Sequence, residues 1–250
     1  MNAPRQLMGF SGPITAIVIG ANGGIGAAFA AAIEAHHPEN IVWRTARDHS
    51  TLGEHSRVVS MDLTQEESIE AFVGQLRAQD VQPDVVINCT GLLHSSKLGP
   101  EKTWRHLDLD TMRRVFDVNT FGVALLGKHI LPLMPRKRRG IFATLSARVG
   151  SIGDNRLGGW YSYRASKAAQ NMMVKTLALE ASRKWEQLVC IALHPGTVDS
   201  DLSAPFSSRV PEHKLFSPEQ SCGYLMEVIQ NLGSENTGGF YAWDGQPIEY

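Results

Sequence analysis

The chain has 250 residues, of which 24 are basic and 25 acidic, so its formal net charge is −1. This balance favours neither nucleic-acid binding nor an acidic tail, and 43% hydrophobic against 20% charged residues excludes wholesale disorder. The three cysteines, Cys89, Cys190 and Cys222, form neither a disulfide framework nor a zinc-binding pattern. We expect a cytoplasmic protein, because no signal peptide is evident and no window approaches the roughly 20 apolar residues of a membrane span. We expect no metal, because the histidines show no metal-ligand spacing with cysteine or acidic residues.

Short apolar runs alternate with helical patterns in the first half of the chain. Strands are predicted at 14–19, 40–45, 56–61 and 84–88. Helices are predicted over 27–35 and from Thr64 to about Gln79, with Thr64 as N-cap and Glu67 completing a capping box. The strands are continuous apolar runs, which are typical of a parallel sheet covered on both faces.

The second half continues the alternation. Helices are predicted from 109 or 110 to 131 and over 160–185, and strands at 140–145, 188–193 and 240–243. Ser217-Pro218-Glu219-Gln220 has the cap, proline and acid of a helix start. We interpret residues 1–250 as one doubly wound α/β domain, with 199–232 as an insertion over the sheet edge. In that insertion the apolar residues are expected to form either a flap over a substrate or an ordinary surface loop: Phe206, Val210, Leu215 and Phe216.

A glycine cluster, Gly20-Ala21-Asn22-Gly23-Gly24-Ile25-Gly26, follows the first strand. Its spacing is GxxxGxG rather than the common GxGxxG. Glycines permit a tight turn, and the helix that follows offers free N–H donors and a positive dipole to a pyrophosphate. A plain strand-to-helix turn is the alternative, but the position after the first strand favours dinucleotide binding and hence a Rossmann domain.

The end of the second strand bears on the choice of dinucleotide. Ala46 stands where a carboxylate would bind the ribose 2′-hydroxyl of NAD(H), and Arg47 suits the 2′-phosphate of NADP(H). These residues favour NADP(H) over NAD(H). Asp48 weakens the argument, because it could bind a ribose or pair with an arginine.

Tyr163 and Lys167 lie four residues apart near the start of a predicted helix, so both face one side. A nearby ammonium lowers the pKa of a phenol from its usual value near 10. Such a pair can protonate a carbonyl as hydride arrives, or deprotonate an alcohol in the reverse direction. The YxxxK pattern also arises by chance, and a surface pair on a helix is the alternative.

These motifs together resemble the short-chain dehydrogenase/reductase family over nearly the whole chain. The matching pieces are the glycine cluster, Asp62-Leu63, Asn88-Cys89-Thr90-Gly91, Val118-Asn119, 146–150, 163–167 and His194-Pro195-Gly196-Thr197-Val198. Three further stretches resemble the C-factor and sniffer-like carbonyl reductase branch of the family: Gly150-Ser151-Ile152 with Asp154-Asn155, 159–164, and Gly238-Gly239-Phe240 with Asp244-Gly245.

The resemblance implies a seven-stranded parallel sheet in the order 3-2-1-4-5-6-7, with helices on both faces. It implies that Tyr163 is the catalytic acid/base, that Lys167 lowers its pKa and bonds the nicotinamide ribose, and that Asn119 holds a proton-relay water. The implied cofactor contacts, besides Tyr163 and Lys167, are Gly20, Asn22, Gly23, Gly24, Ile25 and Gly26 at the turn, Asp62 and Leu63 at the adenine, Asn88 and Gly91 near the ribose, and Pro195, Gly196 and Val198 at the nicotinamide. The helices near 110–131 and 160–185 would form the interface of a homodimer or homotetramer.

The sequence departs from the family at the catalytic serine. That serine lies three residues before the glycine that is here Gly150, and the count falls on Ala147. Ser146, one residue earlier, is our candidate for orienting the substrate oxygen, although neighbouring strand residues point to opposite faces. The alternative is a site without an orienting serine, which would be slower but still active.

The sequence therefore predicts an NADP(H)-dependent oxidoreductase that transfers hydride between nicotinamide and a small carbonyl or alcohol substrate. It predicts neither a nucleic-acid nor a membrane partner. The alternative function is a dinucleotide-binding signalling or sensor protein, similar to C-factor, with little turnover.

Overall fold

The computed structural model describes residues 6–53, 55, 57–95, 99–207, 211 and 214–250. Ser56, at the start of the predicted third strand, and Val210, in the predicted flap, lie outside these ranges. The described strands are β1 Thr15–Ile19, β2 Ile41–Ala46, β3 Val58–Ser60, β4 Val85–Asn88, β5 Gly140–Leu145, β6 Leu188–His194, β7 Thr197–Val198, β8 Leu215–Phe216 and β9 Phe240–Ala242.

Seven of these strands form the central sheet, and all neighbouring pairs are parallel. Their order is β3-β2-β1-β4-β5-β6-β9, while β7 pairs with β8 in a separate two-stranded ribbon. This confirms the predicted doubly wound Rossmann fold and its strand order, with β9 in the seventh place. The strands are mostly apolar because helices cover both faces of the sheet.

The described helices are α1 Gly24–His36, α2 Glu66–Ala78, α3 Leu109–Phe116, α4 Gly122–Ile130, α5 Tyr161–Ala181, α6 Ala204–Ser207 and α7 Pro218–Gln230. Helices α1 and α7 pack on one face of the sheet, where Phe29 and Leu225 belong to one buried cluster. Helices α2, α4 and α5 cover the other face, where Phe72, Leu126 and Val174 belong to a second. The assignment of 1–250 to one domain with an insertion at 199–232 stays a prediction.

The two predicted helix starts have opposite outcomes. The capping box at Thr64 is wrong: the N-cap of α2 is Gln65, which makes no side-chain cap bond. The Thr64 hydroxyl instead donates to Asp62 Oδ1 at 2.8 Å, so a local turn holds the residue outside the helix. At α7 the prediction is confirmed, because Ser217 caps the helix and Gln220 completes a capping box.

The predicted long helix from 109 or 110 to 131 is interrupted. Between α3 and α4 the five residues Asp117–Phe121 form a π-helical turn, which contains Asn119. Such turns insert a residue into a helix and often occur at functional sites. The helix predicted over 160–185 is also shorter, since α5 ends at Ala181 and leaves Trp185 outside it.

Candidate active site

The glycine cluster forms a close turn between β1 and α1. Gly20 has φ +74°, a left-handed conformation that favours glycine. A Cβ atom on Gly26 would lie 2.3 Å from the Gly20 carbonyl oxygen, so the helix approaches the turn more closely than a side chain allows. Gly23 is the N-cap of α1 and provides no side-chain acceptor. The first N–H groups of the helix therefore stay available, which fits a dinucleotide pyrophosphate.

The side chains after β2 that bear on the choice of dinucleotide are Arg47 and Asp48. Arg47 is exposed. Asp48 is occupied, because its Oδ1 accepts from the Ser50 hydroxyl at 2.7 Å and the Ser50 N–H at 3.0 Å. The bond from the Ser50 hydroxyl and, to a smaller extent, the bond from the Ser50 N–H hold the pKa of Asp48 below its usual value. Beside them, His49 Nδ1 lies 2.8 Å from Ser60 Oγ.

Tyr163 and Lys167 share the buried side of α5, with 6% and 2% of their surfaces exposed. Lys167 Nζ lies 5.9 Å from the centroid of the Tyr163 ring. Burial raises the pKa of Tyr163 and lowers the pKa of Lys167 to about 7, because both groups lose solvent that would stabilise their charged forms. Burial therefore disfavours the charged form of Lys167, whereas hydrogen-bond acceptors favour it.

Lys167 has two such acceptors in the protein. Its Nζ donates to the Leu145 carbonyl oxygen and to Gln170 Oε1, each at 2.8 Å. Gln170 is not among the site residues predicted from the sequence. Its position three residues after Lys167, on the same side of a helix, was the available signal.

The residues predicted near the ribose and the relay water surround this pair. A Cβ atom on Gly91 would lie 3.7 Å from Lys167 Nζ and 3.9 Å from Asn119 Oδ1. Asn119 accepts from the Leu92 N–H at 2.7 Å and donates to Ser166 Oγ at 3.0 Å, and so joins the loop after β4 to α5. The π-helical turn thus places an amide between two elements of the site.

Asn88 lies at the end of β4 and holds the turn that follows. Its Oδ1 accepts from the Thr90 hydroxyl at 2.7 Å, and its Nδ2 donates to Thr144 Oγ1 at 3.2 Å. The side chain is fully buried, and it joins this turn to β5.

The remaining predicted cofactor contacts lie at the carboxyl ends of β3 and β6. Asp62 faces its own turn, whereas the Leu63 side chain is buried and would touch a Cβ on Gly122 at 2.8 Å. Pro195 follows β6, and its carbonyl oxygen accepts from the Ser221 hydroxyl at 2.8 Å. Gly196 separates it from β7, in which Val198 is buried.

Ser146 lies at the end of β5 and is buried against α5. Its hydroxyl donates to Asn171 Oδ1 at 2.6 Å. A serine hydroxyl has one proton to donate. Ser146 can therefore donate to a substrate oxygen only after the bond to Asn171 breaks.

A residue distant in sequence holds the start of α5. The Glu101 carboxylate is buried and accepts from the Ser162 N–H at 3.2 Å and from the Ser162 hydroxyl. The Glu101 carbonyl oxygen accepts from the Trp160 N–H at 2.5 Å. A carboxylate is favoured at a helix N-terminus, so Glu101 fixes the turn that carries Tyr163. No local pattern in the sequence singles out this glutamate.

Aromatic rings line the approach to Tyr163. The Trp160 ring lies 6.3 Å from the Tyr163 ring and 4.9 Å from the Phe206 ring, between centroids. His94 contacts Phe206 at 5.9 Å, and its Nε2 lies 3.0 Å from the Asp201 carbonyl oxygen. Trp160 has φ +52°, a conformation that a bulky residue keeps only when its surroundings enforce it. Phe216 packs against Trp243, with ring centroids 4.7 Å apart, and would lie 2.7 Å from a Cβ on Gly196.

A model of the short chain dehydrogenase family matches residues 14–210. The chain belongs to this family. This short-chain dehydrogenase is 31% identical over 238 residues to the 1-hydroxy-2-glutathionyl-2-methyl-3-butene dehydrogenase of a Rhodococcus species, covering 94% of this chain and 99% of that one. It is also 31% identical over 144 residues to C-signal of Myxococcus xanthus, covering 58% of this chain and 81% of that one.

Among solved structures, the dehydrogenase is similar to NADPH-bound carbonyl reductase from chicken fatty liver. The TM-score is 0.82 and the identity 25%, over 97% of this chain and 96% of that chain. These similarities confirm the family and the branch that the sequence motifs indicate, and they identify the protein as an oxidoreductase. None of the described helices has the length and hydropathy needed to cross a membrane.

Proposed function

We propose that this dehydrogenase transfers hydride between NADP(H) and a small carbonyl or alcohol substrate. The observation that carries the proposal is the buried pair of Tyr163 and Lys167 beside Gly91 and Asn119. Lys167 Nζ lies 5.9 Å from the centroid of the Tyr163 ring. The nicotinamide supplies or accepts the hydride when it is bound. Tyr163 then gives the carbonyl oxygen its proton, or removes the proton of an alcohol.

The protonation states support this division of roles. The raised pKa of Tyr163 keeps its proton on the phenol at neutral pH, which suits reduction of a carbonyl. A charged Lys167 favours the phenolate that forms as the proton leaves. Asn119 fixes the loop and helix on which these groups stand, and we assign it the position beside a relay water.

The preference for NADP(H) rests on the residues after β2. Arg47 is exposed and can meet a 2′-phosphate, whereas Asp48 is engaged by Ser50 and would have to leave two hydrogen bonds to meet a 2′-hydroxyl. The NADPH named for the chicken carbonyl reductase is consistent with this preference.

The aromatic rings support an apolar group beside the reacting carbon. Trp160 lies next to Tyr163, and Phe206 packs against Trp160, so the two rings offer apolar surface on this side of the site. The Rhodococcus relative is named for a substrate with a hydroxyl group, which agrees with alcohol and carbonyl chemistry.

We also propose a homodimer or homotetramer. Large apolar side chains are exposed on α3 and α5, where Leu109 is 60% and Met172 64% exposed. Phe121, in the π-helical turn, and Leu179, in α5, are exposed as well. Apolar surface of this kind is typical of protein interfaces.

The first test is titration with NADPH and, separately, NADH. We expect tighter binding of NADPH, and we expect Arg47→Ala to raise the Kd for NADPH about 10-fold while changing that for NADH less than about twofold, because only the phosphate contact is lost. Arg77→Ala, on the exposed side of α2, is the control. Preference for NADH would overturn the role of Arg47, and binding of neither would overturn the proposed function.

A second function, sensing or signalling with little turnover, is favoured by the similarity to C-signal and by the engagement of Ser146 with Asn171. Tyr163→Phe separates the two functions, because it removes the proton donor and keeps the ring. Loss of carbonyl reduction with retained NADPH binding supports catalysis. A cellular effect that survives this substitution supports the sensor.

A further inference from the structure

Hydrogen bonds inside the protein use most of the N–H donors of the Lys167 ammonium. An ammonium has three N–H donors. Two of them are used inside the protein, by the Leu145 carbonyl oxygen and by Gln170 Oε1, at 2.8 Å each. The third donor has no acceptor among the described residues and remains for the cofactor or for a water molecule.

Gln170 is fixed so that its oxygen faces Lys167. The side chain is fully buried. Its Nε2 donates to Thr144 Oγ1 and to the Leu145 carbonyl oxygen, both at 3.0 Å. Thr144 Oγ1 in turn accepts from Asn88 Nδ2. The two N–H groups of the amide therefore have acceptors on β5, and the orientation of the amide follows from them.

Lys167 has no described carboxylate that offsets its burial. The described groups that face it are Tyr163 and Gln170 on its own helix, Leu145 on β5, Gly91 in the loop after β4 and Gly150 in the turn after β5. Of these only Tyr163 is titratable. Among the described residues, desolvation alone accounts for the lowered pKa of the lysine. Neutral oxygens are thus what stabilises the buried ammonium.

We propose that Gln170 is a positioning residue of this dehydrogenase, which keeps the Lys167 ammonium charged and directs its one remaining proton toward the cofactor side. The proposal rests on the function proposed above, since it gives Lys167 a role in the reaction. It predicts that Gln170 affects the pH dependence of turnover, and not only its rate.

Two substitutions with opposite expected effects test the proposal. Gln170→Leu keeps the size of the side chain but removes the acceptor, so Lys167 should lose its proton more easily. Gln170→Glu replaces the amide by a carboxylate, which favours the ammonium. We expect the alkaline limb of kcat for reduction of isatin by NADPH to move about one pH unit down in Gln170→Leu and up in Gln170→Glu.

The control is Thr176→Val on the same helix, where the hydroxyl bonds only the Met172 carbonyl oxygen of its own turn. Its pH profile should match that of the unaltered protein. Shifts of both Gln170 variants in one direction, or a lower kcat with an unchanged profile, would mean that Gln170 only packs and would overturn the proposal.

A second readout does not depend on turnover. The Lys167 side chain can be titrated by NMR after carbon-13 labelling of lysine, with Lys167→Met to assign its signal. We expect the Lys167 pKa to fall in Gln170→Leu, and an unchanged value would overturn the proposal. If the unaltered protein reduces neither isatin nor diacetyl, that result counts against the proposed function. The titration of Lys167 would still decide whether Gln170 keeps the lysine charged.

Discussion

The hydrogen bonds that polar side chains already make inside the protein limit what they can offer a substrate beside Tyr163. Asn119 uses its amide to join Leu92 and Ser166, and Ser146 gives its proton to Asn171. Within the described part of the chain no side chain holds the Tyr163 hydroxyl. The Tyr163 hydroxyl can therefore meet a substrate without first breaking a hydrogen bond to a described side chain.

This difference predicts a small role for Ser146 in orienting the substrate. We expect Ser146→Ala to lower kcat/KM for carbonyl reduction less than about 10-fold, because the lost hydroxyl is bonded to Asn171 and not to the substrate. Ser182→Ala, on the exposed end of α5, is the matched control. A loss of about 10²–10³, as expected for removal of an oxyanion donor, would instead give Ser146 the role predicted from the sequence.

At the level of elements, the helices around the sheet begin in different ways. α1 has no side-chain cap and presents its N–H groups at the glycine turn. α5 takes its acceptor from Glu101, and α7 has its own capping box. An open helix terminus suits a phosphate, whereas the two occupied termini hold the structure around it.

The free energy of unfolding should distinguish the observed cap, Ser217, from Thr64, which was predicted to be a cap but is not one. Ser217→Ala should lower the free energy of unfolding by about 1 kcal/mol, because it removes the cap of α7. Thr64→Ala should cost less than about half of that, since Thr64 caps no helix and bonds only Asp62. Urea unfolding of the two variants, each compared with the unaltered protein, tests this. Equal losses would show that the Ser217 cap contributes nothing specific.

At the scale of the whole molecule, stability should depend on pH through His194. Burial, with a smaller contribution from Arg148, lowers the pKa of His194 from 6.5 to about 4, while Asp244 opposes the shift. Because the folded pKa lies below the unfolded one, the unfolded chain binds the proton first as the pH falls. The contribution is fully present above pH 6.5 and is lost toward pH 4.

We expect the free energy of unfolding to fall by up to about 3 kcal/mol between these pH values from this group alone. His194→Gln should flatten that part of the profile, as measured by urea unfolding at a series of pH values. His106→Gln, at an exposed position, should leave it unchanged. A profile that is as steep in His194→Gln as in the unaltered protein would contradict the assignment.

The sequence predicts what depends on local pattern. The strands were recognisable because parallel strands buried on both faces are continuous apolar runs, and Tyr163 and Lys167 because helical spacing brings them to one side. Glu101 was not recognisable, since it contacts Ser162 across 61 residues of chain. The prediction at Thr64 was wrong for the opposite reason: its local pattern fits an N-cap, but its hydroxyl donates to Asp62 instead.

The pairing of β7 with β8 has a consequence for how this enzyme can change over evolution. The Asp199 N–H donates to the Phe216 carbonyl oxygen at 2.8 Å, so both ends of the intervening segment are fastened at one place. Closing a longer or shorter loop at a fixed base changes the entropy only slowly with length. The length and sequence of the segment can therefore change at little cost to the free energy of folding, while the strand pair that holds its two ends is kept.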